Sequence, residues 1–526
     1  MRILVSDSIS EKGIEILRKE GGYQVDVKTK LSEDELVDII GDYHALVVRS
    51  QTKVTRRIIE SARQLKIIGR AGVGIDNIDV DAATERGIVV VNAPEGNTVA
   101  ATEHTIAMML ALARNIPQAN QLLKNGKWER KKFLGVELRG KTLGIIGLGK
   151  IGSGVAKRAK AMEMKVLAYD PFISEDRAQR LGVELVDFDR IIKESDFITV
   201  HLPLTKETYH MISWQQFEAM KPGVRICNVA RGGIVDEEAL YEALKSGKVA
   251  GAAIDVFEQE PLTESPLFEL DNVIVTPHLG ASTEEAQVNV AVEVAYDIIA
   301  GLRGEPVKNA VNIPSIKPEL LKVIQPYVDL VEKLGKFISQ VSEGHIKQVE
   351  IKYNGEMAQY DVTSLTNTFL KGLLRPVLKD AVNYVNAPLI AKNRGIKVYE
   401  SKSVELEDYA NLITVKVTTD KCEKSVAGTL FGKNEPRIVR IDGYTVDAVP
   451  EGHMLVIPHI DKPRIIGPVG NLIGALDVNI AGMQVGRKVI GGKAVMFLNI
   501  DAPVPEETLK EIAKIDGILD VKYVHL

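Results

Sequence analysis

At 526 residues the chain exceeds what one hydrophobic core supports, so about three or four domains are expected. An apolar fraction of 45% with 26% charged residues excludes disorder, and a net charge of -5 excludes a basic nucleic-acid surface. Two cysteines, Cys227 and Cys422, exclude a disulfide framework, and no apolar run reaches the roughly 18 residues of a membrane span. The N-terminal MRILVSDS carries too short an apolar run for a signal peptide, so a cytoplasmic protein is expected.

In chain order, RILVSD, YQVDVK, ALVVRS and LKIIGRAG alternate with polar helical stretches, which is the pattern of a parallel sheet with crossover helices. Residues 98–116 carry few charges and predict one long buried helix, where the first domain ends. From Lys141 the alternation restarts with KTLGIIG, KVLAYDP, FITVHLP, GVRICNVA, VAGAAIDVF and VIVTPH, a second doubly wound unit. A helix from Thr283 to about Leu302 leads the chain back to the first domain, and NAVNIPSIKPEL reads as a linker. Residues 320–450 suggest two helical stretches followed by strands, a mixed α+β region. The last residues have the order βαββαβ of a ferredoxin-like domain. The expected fold is therefore α/β with two doubly wound parallel sheets, followed by an α+β segment and a ferredoxin-like end. Its expected divisions are 1–97 with 291–312, then 98–290, 313–450 and 453–526.

In IIGLGKIGSG, Gly147, Gly149 and Gly152 follow an apolar run and open a helix, the context of a dinucleotide fingerprint. The first permits a tight turn, the second lets backbone approach a pyrophosphate and the third lets helix and strand pack closely. Asp170 ends the next strand, where a carboxylate accepts the ribose hydroxyls and repels a 2′-phosphate, so NAD is expected over NADP. Arg231, Asp255, Glu260 and His278 fall after later strands and are expected to converge near the nicotinamide. Taken singly each has an ordinary surface reading. Together they suit oxidation of a 2-hydroxy acid, with His278 as base for the hydroxyl proton, Glu260 fixing its tautomer and Arg231 holding a carboxylate.

The set RAGVGIDNID, GLGKIG, YDP, HLPLT, NVARGGIVDE, DVFEQEP and TPHLGAST resembles the D-2-hydroxyacid dehydrogenases over residues 1–312. That resemblance implies Arg231, Glu260 and His278 as catalytic residues. It also implies cofactor contacts at Lys150, Ile151, Asp170, Leu202, Ala230 and Asp255, and the cofactor set includes Arg231, His278, Gly280 and Ala281. Arg49, Ser50, Lys53, Arg70, Ala71, Gly72, Val73 and Asn97 are the expected substrate residues. The backbone of residues 71–74 would supply N–H donors to a carboxylate and the basic residues would meet a phosphate.

The tail resembles that of the long members of the family, which oxidise 3-phosphoglycerate to 3-phosphooxypyruvate in the first step of serine biosynthesis and end in an ACT regulatory domain. By that resemblance L-serine is the effector, held by His459, Asp461 and Asn479, and the assembly is a homotetramer. The turn commonly reads Asp-x-Pro-Gly in such domains, but Arg464 stands here in place of the glycine, and arginine adopts positive φ at a higher cost. Arg437 and Arg440 are candidates for an anion site in the intervening segment. Open alternatives are another small 2-hydroxy acid such as glycerate or hydroxypyruvate, an NAD-sensing scaffold, and a tail used only for oligomer contacts.

Overall fold

The computed structural model describes residues 1–314, 318–405, 407–432 and 434–526, with side chains described for all of these except 318–322 and 380. The centre of the expected linker, residues 315–317, lies outside the described residues.

Strands β1 (Arg2–Val5), β2 (Gln24–Val27), β3 (Ala45–Val48), β4 (Ile67–Arg70) and β5 (Val89–Val91) form an all-parallel sheet in the order β2-β1-β3-β4-β5. Ile3–Val5 of β1, Ala45–Val48 of β3 and Ile67–Gly69 of β4 are continuous runs without a polar side chain because each face of the sheet carries its own core. The second sheet holds β6 (Thr142–Ile146), β7 (Lys165–Tyr169), β8 (Glu184–Leu185), β9 (Phe197–Val200), β10 (Val224–Asn228), β11 (Val249–Ile254) and β12 (Val273–Val275). Its order is β12-β11-β10-β9-β6-β7-β8. The chain reverses direction of growth between β6 and β9, and the crevice outside the carboxyl ends of the strands at that switch is where such sheets bind ligands.

Two long helices connect the units. Thr98–Arg114 buries Ala101, Thr105, Met109 and Leu112 against the second sheet, which explains its low charge content. Glu284–Arg303, capped by Thr283, returns the chain to the first, where Val294 and Ile298 press on Gly69 of β4.

Beyond the linker, β13 (Ile346–Gly355), β14 (Lys397–Ser403), β15 (Asn411–Thr419), β16 (Glu423–Phe431), β17 (Glu435–Ile441) and β18 (Tyr444–Ala448) form a mixed sheet under helices Pro318–Val341 and Thr363–Leu378. β13 lies between the two helices in sequence, where no strand was expected. From Gln348 its residues alternate between polar Gln348, Glu350 and Lys352 and buried Val349, Ile351 and Tyr353, a half-buried strand paired between β14 and β15.

The last sheet contains β19 (His453–Ile460), β20 (Ile480–Arg487), β21 (Lys493–Ile500) and β22 (Lys522–His525) in the antiparallel order β20-β21-β19-β22. With helices Ile466–Gly474 and Glu506–Ala513 this is the ferredoxin-like arrangement. Both of its faces are covered. Leu455 and Ile457 of β19 point to its own helices, while Met454 and Val456 join the core under Pro318–Val341, where Phe337 and Phe497 lie 6.3 Å apart. The intervening and terminal units therefore share one core.

Arg464 adopts φ 70 in the turn after β19, a left-handed conformation in a residue with a Cβ. That conformation costs about 1–2 kcal/mol, partly offset in a glycine by its larger entropy loss. Arg464→Gly is expected to raise the stability of this unit by roughly 0.5–1 kcal/mol in a urea titration. A lowered midpoint would mean that the arginine side chain makes compensating contacts.

Candidate active site

The glycine loop connects β6 to the helix Lys150–Ala161, and each glycine has a separate reason. Gly147 has φ 95, and a Cβ there would lie 2.5 Å from the His201 carbonyl oxygen. A Cβ on Gly152 would lie 2.0 Å from the Gly147 carbonyl oxygen, so helix and strand could not approach. At Gly149 no protein atom lies within 4 Å of the added Cβ. This glycine keeps space open in front of the helix start, the berth a pyrophosphate needs.

Asp170 sits at the end of β7, and its carboxylate accepts the Leu148 and Phe172 N–H groups, each at 2.9 Å. This locks the acid beside the glycine loop. Leu202 and Ala230 pack at the edge of the core behind it. Asn97, at the start of the connecting helix Thr98–Arg114, has a buried side-chain oxygen without a hydrogen-bond partner. The open cradle, fixed acid and orphaned polar atom fit an NAD molecule in the crevice.

At the far side of the crevice Asp255, fully buried at the end of β11, organises the segment that carries His278. One oxygen accepts the Thr276 hydroxyl at 2.6 Å and the Leu279 N–H at 2.7 Å, and the other accepts the Gly280 N–H at 2.8 Å. His104 of helix Thr98–Arg114 approaches the first oxygen at 3.3 Å. Burial raises the affinity of this carboxyl for a proton, but His104, Thr276 and the Leu279 N–H outweigh burial and hold it below the ordinary carboxylate range. His278 takes φ 56 within this loop, and its N–H bonds the Asp255 carbonyl at 2.8 Å. Ala281 follows, half-buried, on the same loop.

His278 Nδ1 lies 2.7 Å from Glu260 Oε2. The other Glu260 oxygen accepts the Phe257 N–H at 3.0 Å. Burial again pushes this carboxyl up, and the bonds from His278 and Phe257 bring it below the usual range. The ionised glutamate fixes the proton on Nδ1 and leaves Nε2 free to accept another. The Glu260 loop is pinned from behind: Glu258 donates its N–H to Glu237 at 2.6 Å and its side chain meets His210 at 2.9 Å.

Opposite the dyad, Arg231 reaches across the cleft to the first domain. Its Nε donates to Asp76 at 3.2 Å, and a Cβ on Gly74 would lie 2.0 Å from its Nη2. Arg70, at the end of β4, donates to Asn77 at 2.8 Å. Burial, together with repulsion from Arg231 and Arg49, lowers the Arg70 pKa to about 10, against attraction by Asp76 and Asp7. The Arg70 guanidinium thus feels the charges of Arg231 and Arg49, an arrangement that an anion stabilises. Ser50 and Lys53 are exposed on the loop after β3. The expectation of a row of free amides over residues 71–74 needs correction. Ala71 and Gly72 donate to Val48 and Arg70 carbonyls, because the loop closes back on the strand ends, and only Val73 and Gly74 lack partners among the described residues.

Lys150 and Ile151 occupy the first helical turn, with their backbone facing the berth, but the Lys150 ammonium is 3.0 Å from Glu95. Residues not anticipated from sequence are Asp76 and Asn77, inside a quoted motif without a role, and His104, Glu95 and Asp7. Asp7 accepts the Arg49 N–H at 2.6 Å and the Thr52 hydroxyl at 2.6 Å, shaping the Arg49 loop.

The proposed effector set does not come together within one chain. β20 runs in the same direction as β19, with β21 between them, so Ile480 and His453 both register with Ile500, whereas Ile460 registers with Lys493. Asn479, bonded to Asp501 at 3.2 Å, therefore lies at the opposite end of the sheet from His459 and Asp461. His459 is buried on the Ile457 carbonyl, and Asp461 binds Arg487 at 3.0 Å. Arg437 and Arg440 are each matched by two carboxylates, Glu435 with Asp447 and Glu407 with Asp408.

Residues 106–280 match the NAD-binding domain of the D-isomer specific 2-hydroxyacid dehydrogenases, and residues 323–442 match the D-3-phosphoglycerate dehydrogenase intervening domain. A D-3-phosphoglycerate dehydrogenase of Archaeoglobus fulgidus is 53% identical over all of both chains. The chain belongs to the D-3-phosphoglycerate dehydrogenase family. A Synechocystis relative of the same name is 52% identical over all of this chain and 95% of its own. Among solved structures, a D-lactate dehydrogenase of Aquifex aeolicus in complex with NAD and lactic acid is 31% identical and has a TM-score of 0.54. It covers 60% of this chain and all of its own.

Two glycines separate cofactor binding from folding. Gly149→Ala fills the open berth, so the variant is expected to keep its thermal midpoint while NADH affinity in a fluorescence titration falls about tenfold or more. Gly152→Ala meets backbone and is expected to lower the midpoint itself. Equal stability losses in both would contradict the assignment of the open space to a ligand.

Proposed function

We propose that the chain catalyses NAD-dependent oxidation of 3-phospho-D-glycerate to 3-phosphooxypyruvate, the first step of phosphorylated L-serine synthesis. The observation that carries this reading is the Glu260–His278 dyad at 2.7 Å, and the repulsion of Arg70 by Arg231 and Arg49 supports an anionic substrate. Full-length similarity to relatives of that name supports the substrate.

In this mechanism the Arg231 guanidinium holds the substrate carboxylate and polarises the oxygen at C2. Arg49 and Arg70, with Lys53 at the rim, receive the phosphate. The amides of Val73 and Gly74 add donors to the carboxylate. His278 Nε2 takes the C2 hydroxyl proton, and Glu260 stabilises the resulting imidazolium. Gly149, Asp170 and the His278 loop would hold NAD, which would supply the acceptor for the C2 hydrogen as hydride. The Asp255 carboxylate acts by holding that loop.

The same reading makes the protein a cytoplasmic homo-oligomer, a tetramer. Free cysteines Cys227 and Cys422 suit a reducing compartment, and among the described residues no helix is long and apolar enough to cross a membrane. Helix Ile116–Lys124 buries none of its residues, and Ile116, Leu123, Trp128 and Leu134 are exposed along it and the following loop, a surface suited to a second copy. L-serine acts as effector only if a second copy brings an Asn479 to His459 and Asp461, since one chain keeps them apart.

The test is NADH formation from 3-phosphoglycerate with the product trapped, ranked by kcat/KM against glycerate, D-lactate and other 2-hydroxy acids. The phosphorylated acid is expected to rank first, and His278→Ala to lower kcat by about 10²–10⁴. A preference for an unphosphorylated acid would overturn the substrate, and an undiminished His278→Ala variant would overturn the base.

A further inference from the structure

Lys150, the first residue of the helix behind the dinucleotide loop, does not point its ammonium into the berth that Gly149 keeps open. Its Nζ lies 3.0 Å from Glu95 Oε1, and the second Glu95 oxygen lies 3.3 Å from Lys308 Nζ. Glu95 belongs to the turn that begins the connecting helix Thr98–Arg114. A Cβ on its neighbour Gly96 would lie 2.8 Å from the backbone nitrogen of Val290, so this turn is also pressed against the other connecting helix, Glu284–Arg303. The turn is fixed, yet the side chains of Glu95 and Lys150 are 56% and 52% exposed and free to exchange partners.

A dinucleotide pyrophosphate at this helix start brings two negative charges beside Lys150. Two anions then compete for one ammonium. Lys308 keeps Glu95 neutralised after Lys150 leaves, so the carboxylate remains ionised and the exchange leaves no bare charge. We propose that Glu95 is a placeholder anion: it holds Lys150 across the cleft in the cofactor-free protein, yields it to the pyrophosphate, and thereby sets cofactor affinity. Binding then breaks an ion pair that ties the dinucleotide domain to the turn before helix Thr98–Arg114, so cofactor arrival removes one contact between the two domains. Glu95 is a positioning residue in this scheme, and the scheme rests on the reading of Lys150 as a pyrophosphate contact.

The test is a titration of the full-length protein at low ionic strength with NADH, ADP-ribose and adenosine, in wild type, Glu95→Gln, Lys150→Met and the double variant. Glu95→Gln is expected to tighten NADH and ADP-ribose by about two- to fivefold, the range of an exposed ion pair. The gain should shrink in high salt. Lys150→Met is expected to weaken both ligands, and in that background Glu95→Gln should change affinity by less than about 1.5-fold, the coupling expected of groups in direct contact. Adenosine, which lacks the pyrophosphate, should bind all four alike. An unchanged or weakened affinity in Glu95→Gln would overturn the proposal, as would a full gain persisting without Lys150, which means simple repulsion. If Lys150→Met alone leaves NADH affinity unchanged, the reading of Lys150 falls first and the placeholder with it.

Discussion

The catalytic end of the molecule depends on one buried charge. Asp255 has no exposed surface, and a carboxylate in that position is strongly unfavourable unless its oxygens are bonded. The bonds come from Thr276, Leu279 and Gly280, which are also the residues on either side of His278. Satisfying the charge and shaping the loop are therefore one event. The loop so formed keeps His278 at a positive φ, a conformation of about 1–3 kcal/mol in cost that persists only when its surroundings over-determine it. Glu260 can then meet Nδ1, and His104 ties the arrangement to the helix connecting the two domains.

The cleft between those domains is organised by opposite charges. Arg231 and Lys150 project from the second domain, and Asp76 and Glu95 meet them from the first. In the proposed scheme each cation receives an anionic group of a ligand, and each is paired here with an exposed carboxylate, a weak attraction.

Much of this was legible in sequence wherever a local rule decides the outcome. The three glycines stand next to a strand and a helix, so their roles follow from neighbours within six positions, and Asp170 follows from the strand after them. Arg231, Glu260 and His278 were readable as a set because each lies in the loop that follows a strand of one sheet, and the carboxyl ends of those strands lie side by side. The partners Asp76, Glu95 and His104 were not readable, because they lie more than 50 positions from the groups they bind and charged loop residues are common everywhere. The terminal unit was correctly ordered, yet two properties escaped. The alternation in HMLVIPHI announces two apolar faces without saying that the second is covered by helix Pro318–Val341. Placing Asn479 beside Asp461 needed the direction of β20, which only the pairing through β21 reveals. β13 was missed because its outward face is as polar as a loop.

The central claim is that the C2 hydrogen leaves as hydride while His278 takes the hydroxyl proton. Turnover of 3-phospho-D-glycerate deuterated at C2, followed by NMR of the cofactor, tests it directly. The account predicts one deuterium at C4 of the NADH formed, in full yield and without loss to solvent. Deuterium in the water, or NADH formed without label, would contradict it.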